Sequence, residues 1–136
     1  MSELIPLTFN KILQSKSYTV IILGTKEKKF AIYTEAKVGK DLQMYLTQGK
    51  HPRPSCHDLL QNILTAYHIH PIQVVIQDVQ DTTYFARLFL EMIQDEKKHI
   101  VEIDARPSDC ISIAVLHNIP LYCRKEVLEK VVAIEA

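Results

Sequence analysis

Glycine is scarce in this 136-residue sequence, which has only three glycines, at positions 24, 39 and 49. Their spacing allows neither a Gly-x-Gly-x-x-Gly loop nor a P-loop motif, so Rossmann and P-loop nucleotide sites are excluded. The Gly-x-Ser-x-Gly nucleophile elbow and the His-Glu-x-x-His metal motif are also absent. The usual signatures of nucleotide-binding, serine-hydrolase and zinc-protease sites are therefore missing.

Cysteines and long apolar runs are also few. The three cysteines, Cys56, Cys110 and Cys123, form no Cys-x-x-Cys pair and are odd in number. This favours reduced thiols over a disulfide framework or a zinc site. No apolar run approaches the roughly 20 residues of a membrane span, and the first residues lack a basic region followed by an apolar one. We therefore expect a cytoplasmic protein without a membrane partner.

Charge of one sign is not in excess, because 16 Lys and Arg balance 16 Asp and Glu. Zero net charge counts against bulk, sequence-independent binding of nucleic acid. The first 55 residues nevertheless hold nine basic and four acidic side chains, and the remainder holds seven and twelve. This asymmetry permits a basic patch, but it favours the plainer interpretation of a solvated surface with internal charge complementarity. The basic residues concerned are Lys26, Lys28, Lys29, Lys37, Lys40, Lys50 and Arg53.

The length and the hydrophobic content of 47% are those of one globular domain, 1–136. Alternation and helical spacing predict an α+β fold with a mixed, mainly antiparallel sheet, helices packed on it and one βαβ unit. Strands are predicted at 4–13, 18–23, 30–33, 73–79, 82–91, 100–104 and 121–123. Helices are predicted at 36–46, from 55 to a stop at Pro71, at 108–117 with a cap at Asn118, and at 125–132.

Two further packing predictions are specific. In the helix that follows Ser55, the apolar residues recur at three- and four-residue steps and predict a buried stripe. These residues are Leu59, Leu60, Ile63, Leu64 and Tyr67. Between strands 82–91 and 100–104, hydrophobic and charge patterns together favour a register that places Leu88 opposite Val101 and Arg87 opposite Glu102.

Two polar signatures lie where a loop enters a helix, at 51–60 and 102–109. Each contains an Arg-Pro-Ser triplet, and we predict that the two loops converge on a shared surface. In the first signature, Ser55 and Asp58 fit a capping box. Loops at such positions often carry function.

The second signature offers a phosphate site. A helix start presents free N–H groups, Arg106 suits a bidentate phosphate contact, and Asp104 with Asp109 could hold Mg²⁺ or Mn²⁺. The structural alternative gives the same residues ordinary tasks: Ser108 caps the helix, Asp109 complements its dipole and Arg106 pairs with Asp104.

His57 is the best general-base candidate, because its pKa can lie near neutrality and it stands at a helix start. His51 shows no partner pattern. The pair His68 and His70 is typical of a helix end rather than of a metal site, and Cys56 is interpreted as a small packing residue.

Several segments together resemble the bifunctional nuclease domain family. They are Pro52-Arg-Pro-x-x-His-Asp-Leu-Leu60, Val75-Ile-x-Asp78, Thr83-Tyr-Phe-Ala-Arg-Leu88, Glu102-Ile-Asp-Ala-Arg-Pro-Ser-Asp109 and Ile119-Pro-Leu-Tyr122. The resemblance covers about 50–130. It implies an α+β domain that forms a homo-oligomer, with a dimer favoured, and that cleaves DNA or RNA.

The family's polar positions carry over residue by residue to nine residues of this chain, and we predict roles for them in three groups. His57, Asp104 and Asp109 are the catalytic candidates, and Asp104 and Asp109 also hold the metal. Arg53, Arg106 and Ser108 bind the substrate, and Asp58, Asp78 and Arg87 support the site. Residues 1–49 depart from the family pattern. Glu35-Ala36 is only a candidate for a shifted Glu-Ala of the family, which keeps open the alternative of a non-catalytic oligomeric binding or regulatory protein on the same fold.

Overall fold

The computed structural model describes residues 3–134, and within them the chain forms an α+β domain, as predicted. The strands are β1 (Leu4–Gln14), β2 (Tyr18–Gly24), β3 (Lys29–Glu35), β4 (Ile69–Gln80), β5 (Thr83–Gln94), β6 (Lys97–Ala105) and β7 (Leu121–Arg124). The helices are α1 (Ala36–Leu46), α2 (Cys56–Ala66), α3 (Pro107–His117) and α4 (Lys125–Lys130). None of the helices in this part of the chain is long and apolar enough to cross a membrane.

The strands form one mixed sheet in the order β3-β2-β1-β7-β4-β5-β6. Neighbouring strands are antiparallel except β4 and β7, which are parallel. Because β5 is antiparallel to both β4 and β6, strand β6 runs parallel to β7. The predicted βαβ unit, β6-α3-β7, is therefore present and crosses over β5 and β4.

The core lies between the sheet and helices α1, α3 and α4. Its members include Ile21 and Phe30 from the N-terminal strands, Leu42 from α1, Ile111 from α3 and Val127 from α4. Helix α1 approaches the sheet closely at Gly39, where a Cβ atom would collide with the side chains of Gln14 and Thr19. The Gly39 N–H instead donates to Thr19 Oγ1 at 3.2 Å.

Helix α2 differs from its prediction, because its apolar stripe is not buried. Leu64 is 5% exposed, but Leu59, Leu60, Ile63 and Tyr67 are 37–70% exposed. Pro71 is not the helix stop: α2 ends at Ala66 with Tyr67 as its C-cap, and His68 turns the chain with a left-handed φ of 57°. Pro71 lies inside β4, next to a bulge where its missing N–H is tolerated.

The predicted register of β5 and β6 is wrong by two residues. Leu88 lies opposite Ile103, and Arg87 lies opposite Asp104. A shift of two keeps every side chain on its predicted face, so the hydrophobic pattern fits both registers equally well. The turn decides between them: Asp95 and Glu96, both with positive φ, form a two-residue hairpin turn that fixes Gln94 opposite Lys97.

Candidate active site

The two polar loops converge, as predicted. His57 stands in the first turn of α2 and Asp109 in the first turn of α3, and His57 Nε2 lies 3.2 Å from Asp109 Oδ1. Residues 52 positions apart in the sequence therefore form one imidazole–carboxylate pair.

Arg106 joins this pair to a third element. Its Nε donates to Asp109 Oδ2 at 2.9 Å, and its Nη1 donates to Glu35 Oε1 at 2.9 Å. The expected pairing of Arg106 with Asp104 is wrong, because the guanidinium is held from the α3 and β3 sides instead. The hydrogen bonds to Asp109 and then to Glu35 raise the pKa of Arg106 further, so the group is always charged.

The start of α3 also differs from the structural alternative for Ser108. The N-cap is Arg106, whose side chain makes no cap hydrogen bond, and Pro107 occupies the first helical position. Ser108 is therefore inside the helix, where it is buried. Proline suits this first position because its missing N–H would have no partner in the helix anyway.

The start of α2 is fixed by the predicted capping box. Ser55 Oγ accepts from the Asp58 N–H at 3.2 Å, and Asp58 Oδ2 accepts from the Ser55 N–H at 2.9 Å. Tyr45 adds a link from α1, because its hydroxyl lies 3.0 Å from Ser55 Oγ. The backbone hydrogen bond from Ser55 is the main reason that the pKa of Asp58 is lowered.

His51 connects α1 to the same capping box. Its Nε2 lies 3.0 Å from Asp41 Oδ1, and its Nδ1 lies 3.2 Å from Asp58 Oδ2. The hydrogen bond to Asp41, followed by that to Asp58, raises the pKa of His51. The ring of Tyr45 makes edge contacts with both His51 and His57, at centroid distances of 6.0 and 6.2 Å. Through these contacts, α1 positions the loop that delivers His57.

Two cavities open at this site. One, of about 590 Å³, is lined by Glu35, Arg106 and Ser108 together with residues of β3 and the start of β5. The other, of about 350 Å³, has Cys56, His57 and Asp109 at its polar end and is otherwise apolar. Its apolar wall is formed by Leu60, Leu64, Leu88, Leu90, Ile103, Ala105 and Ile113. The exposed Cys56 therefore borders a cavity, and the prediction that it is a packing residue is wrong.

The other two cysteines are buried and free. Burial is the main cause that raises the pKa of Cys110 to about 12 and that of Cys123 to about 11. Because the reactive form of a cysteine is the thiolate, neither side chain is a nucleophile near neutral pH.

Four further predicted site residues, Arg53, Asp104, Arg87 and Asp78, have other surroundings. Arg53 is exposed in the loop before α2, next to the two prolines. Asp104 alternates along β6 with Ile103 and Ala105, which line the apolar cavity, so its side chain faces the opposite side of the sheet, where it is opposite Arg87. Asp78 binds Lys130 of α4 at 3.2 Å.

These positions bear on the metal prediction. Across residues 3–134, no group of three or more His, Cys, Asp or Glu side chains is arranged to hold a metal ion. Asp109, with His57 and Arg106 as its contacts, offers a carboxylate that is already paired. The roles assigned to Asp104, Asp78, Arg87 and Arg53 stay predictions.

Sequence reasoning missed the contributions of His51, Asp41 and Tyr45 and left Glu35 undecided. Asp58 is seven residues from His51, and Asp41 is ten, but His51 lies in the loop between α1 and α2, so no single helix or strand relates the three residues. The Glu35–Arg106 contact spans 71 residues. In the sequence, only the resemblance of Glu35-Ala36 to the family's Glu-Ala pair indicated that Glu35 belongs to the site. The structure places the Glu35 carboxylate against Arg106.

Comparison with protein families matches residues 21–135 to the family described as the bifunctional nuclease domain. The match covers most of the chain and includes Glu35, His57, Arg106 and Asp109. The chain therefore belongs to the bifunctional nuclease domain family.

Two curated relatives are uncharacterized proteins of Mycobacterium tuberculosis. They are MT1877 of strain CDC 1551 / Oshkosh and Rv1829 of strain ATCC 25618 / H37Rv. Each is 32% identical to this chain over 77 residues, which is 57% of this chain and 43% of the relative. The chain thus matches less than half the length of either relative.

Proposed function

We propose that this protein is a nuclease that hydrolyses phosphodiester bonds of DNA or RNA at the surface formed by His57, Asp109, Arg106 and Glu35. The observation that carries the proposal is the contact of 3.2 Å between His57 Nε2 and Asp109 Oδ1. A carboxylate in this position holds the imidazole in one orientation and stabilises its protonated form. Membership of the bifunctional nuclease domain family supports the same reaction class.

His57 acts as the general base in this proposal. With Nε2 directed at Asp109, Nδ1 accepts a proton from a water molecule or, on RNA, from the ribose 2′-hydroxyl. The oxygen then attacks phosphorus, the bond to the leaving oxygen breaks, and solvent or the protonated His57 returns a proton to it. General-base catalysis of this kind contributes about 10²- to 10⁴-fold to a rate.

Arg106 binds the phosphate. Its side chain and that of Glu35 are both more than 60% exposed, so their ion pair is a surface pair. Such pairs contribute at most about 1 kcal/mol, and a phosphate can replace Glu35 without a large loss of stability. Asp109 stays bound to Nε and keeps the guanidinium beside His57. Ser108 lines the same cavity, and Arg53 is the second predicted phosphate contact.

A divalent metal, Mg²⁺ or Mn²⁺, remains part of the proposal as a ligand of Asp109, with Asp104 as the predicted second carboxylate. The separation of these two side chains by the sheet makes Asp104→Asn informative. A metal held by both residues predicts loss of cleavage on this change and on addition of EDTA. A reaction driven by His57 alone predicts that both treatments leave cleavage intact.

The test is cleavage of plasmid DNA and of RNA by highly purified protein, with and without EDTA. His57→Asn and Asp109→Asn should each lower the rate by about 10² or more. Asp81→Asn, in the exposed β4–β5 turn, is the matched control and should keep full activity. Equal cleavage by wild type, His57→Asn and Asp109→Asn would show that a contaminating nuclease is responsible and would overturn the proposal.

The second candidate is a non-catalytic oligomeric binding or regulatory protein on the same fold. The observation that favours it is the pairing of Arg106, whose guanidinium already contacts two carboxylates, as in a structural ion-pair network. No cleavage by wild-type protein under any metal condition, together with retained oligonucleotide binding, would favour this candidate. The free cysteines suit a reducing compartment. A cytoplasmic location is therefore part of the proposal for the nuclease and for the non-catalytic protein alike.

A further inference from the structure

Two exposed tyrosines lie side by side next to the candidate site. Tyr18 begins β2, and Tyr33 lies in β3 two residues before Glu35. The centroids of the two rings are 6.1 Å apart, and the ring planes are tilted by 47°. Tyr33 is 69% exposed and Tyr18 is 48% exposed. We call these two side chains the tyrosine pair.

The register of β2 and β3 places the tyrosine pair on the same face of the sheet as Glu35. Tyr18 lies opposite Glu35, and Val20 lies opposite Tyr33. Directly opposed residues, and residues two apart in one strand, point to the same face. The neighbour of Tyr33, Ile32, points the other way and belongs to the core, whereas neither tyrosine does. The two rings are therefore displayed on the surface beside the Glu35 carboxylate.

The tyrosine pair also lies beside the guanidinium that binds the phosphate in the proposed function. The cavity of about 590 Å³ is lined by Tyr33, Glu35 and Arg106 together. Glu35 Oε1 accepts from Arg106 Nη1 at 2.9 Å, and the Cα atoms of Tyr33 and Glu35 are two strand residues, or roughly 7 Å, apart. An aromatic surface and a phosphate-binding group are thus neighbours in one cavity. Its volume is within the range that small ligands occupy.

This combination fits a nucleotide of a single strand. Aromatic side chains stack on nucleobases of any sequence, and the stacking strengthens binding by a factor of about 5 to 150 for each base. In a duplex the bases are already paired and stacked on one another, so they are not free to lie on a tyrosine ring. An anion without a planar group would use Arg106 alone.

We propose that the tyrosine pair stacks on the base next to the phosphate held by Arg106, so that the substrate is single-stranded DNA or RNA or an unpaired segment. Tyr33 makes the main contact, because it is the more exposed ring and the one that lines the cavity. Tyr18 supports the Tyr33 ring from the side. Tyr33 binds the substrate and takes no part in proton transfer at His57. This inference rests on the proposed function for the role of Arg106.

Fluorescence tests the stacking contact without any need for cleavage. The sequence has no tryptophan, so Tyr33→Trp places a single indole at the contact, and a His57→Asn background prevents turnover. A short single-stranded oligonucleotide should quench this fluorescence, because a base lies on the ring. A duplex of the same sequence and polyglutamate, an anionic chain without bases, should leave it unchanged. Tyr67→Trp is the matched control and should not be quenched, since Tyr67 is 70% exposed but lies at the end of α2 far from His57.

Cleavage kinetics give the second test. Tyr33→Ala should raise KM for a single-stranded oligonucleotide at least about fivefold and leave kcat unchanged, because it removes binding only. Tyr33→Phe should behave as wild type, since the ring is kept, and so should Tyr67→Ala. On a strand whose positions are all abasic, Tyr33→Ala should have no effect. A purely structural role for Tyr33 would instead lower kcat/KM equally on strands with and without bases.

The outcomes separate this inference from the proposed function. Equal quenching by polyglutamate or by the duplex would overturn the inference, as would an equal effect of Tyr33→Ala on strands with and without bases. Cleavage that depends on His57 without quenching of Tyr33→Trp would leave the nuclease intact and remove the role of the tyrosine pair. Quenching by single strands alone, with no cleavage by wild type, would support the stacking contact and overturn the nuclease.

Discussion

At the scale of single residues, His51 has a carboxylate at each ring nitrogen. A neutral imidazole has one N–H, so it can donate to Asp41 or to Asp58 but not to both. Only the doubly protonated ring satisfies both contacts, which lie at 3.0 and 3.2 Å. The loop that precedes α2 is therefore held most firmly when His51 is charged.

The pH dependence of stability follows from this arrangement. The pKa of His51 is raised above its ordinary value of 6.5, so its stabilising contribution is fully present below about pH 6.5 and is lost as pH rises through the folded-state value. The lowered pKa of Asp58 has the opposite effect, and its contribution is lost only in acid.

We expect the urea midpoint of wild type to exceed that of His51→Gln by more at pH 5.5 than at pH 8.5. Urea unfolding of both proteins at the two pH values measures this difference. His70→Gln, at an exposed position of β4, is the control. A gap between wild type and His51→Gln that does not change with pH would contradict the prediction.

The capping box gives a second prediction at this scale. Ser55→Ala removes the acceptor for the Asp58 N–H and should lower the free energy of unfolding by about 1 kcal/mol. Denaturant unfolding at neutral pH measures the change. Tyr45→Phe removes only the hydroxyl contact with Ser55 and should cost less. A Ser55→Ala midpoint equal to that of wild type would refute the cap.

At the scale of elements, α2 and α3 have similar lengths but different surroundings. Helix α3 buries Cys110, Ile111, Ile113 and Ala114, and α2 buries only Leu64. Local opening is easier where few apolar contacts are lost. In dilute protein, we expect α2 amides to exchange with solvent faster than α3 amides, as measured by hydrogen exchange. Equal protection of the two helices would show that α2 is packed more firmly than its exposed stripe indicates.

The sequence predicted the helices and strands better than it predicted how they pack and pair with one another. The capping box and the Asn118 cap are local signals within a few residues, and both were confirmed. The α2 stripe has the spacing of a buried face, but spacing cannot tell whether the same chain or another covers it. The β5–β6 register failed because its hydrophobic pattern repeats every two residues.

The candidate site was predictable only where local sequence signals define it. Each Arg-Pro loop was visible as a loop that enters a helix, and the convergence of His57 with Asp109 was confirmed. The contact of Arg106 with Glu35 spans 71 residues and depends on tertiary structure. The contact with Asp109 spans only three residues, but a charge rule based on sequence distance favoured Asp104, two residues away, because it could not show that the Asp104 side chain faces away from Asp109.

At the scale of the whole molecule, zero net charge limits how this protein can hold a nucleic acid. Under the proposed function, Arg106 and Arg53 are the phosphate contacts. Each phosphate neutralised on a single strand contributes about 0.7 to the slope of log affinity against log salt. We expect a slope of about −1 to −2 for a short single-stranded oligonucleotide, measured by fluorescence anisotropy. A slope near −5 would require a basic surface beyond these two residues.

Strand β1 sits in the sheet between β2, its neighbour in sequence, and β7, which comes from the far end of the chain. Its pairing with β2 closes a short turn, and its pairing with β7 joins Leu4 to Arg124. Local pairings form quickly, and distant ones must first bear the entropy of closing a long loop. The β1–β2–β3 meander can therefore form early. The sheet becomes continuous only when β7, residues 121–124, pairs with β1 on one side and with β4 on the other. Refolding should be slower than that of a helical domain of equal size, and the two halves of the sheet should gain their full stability together.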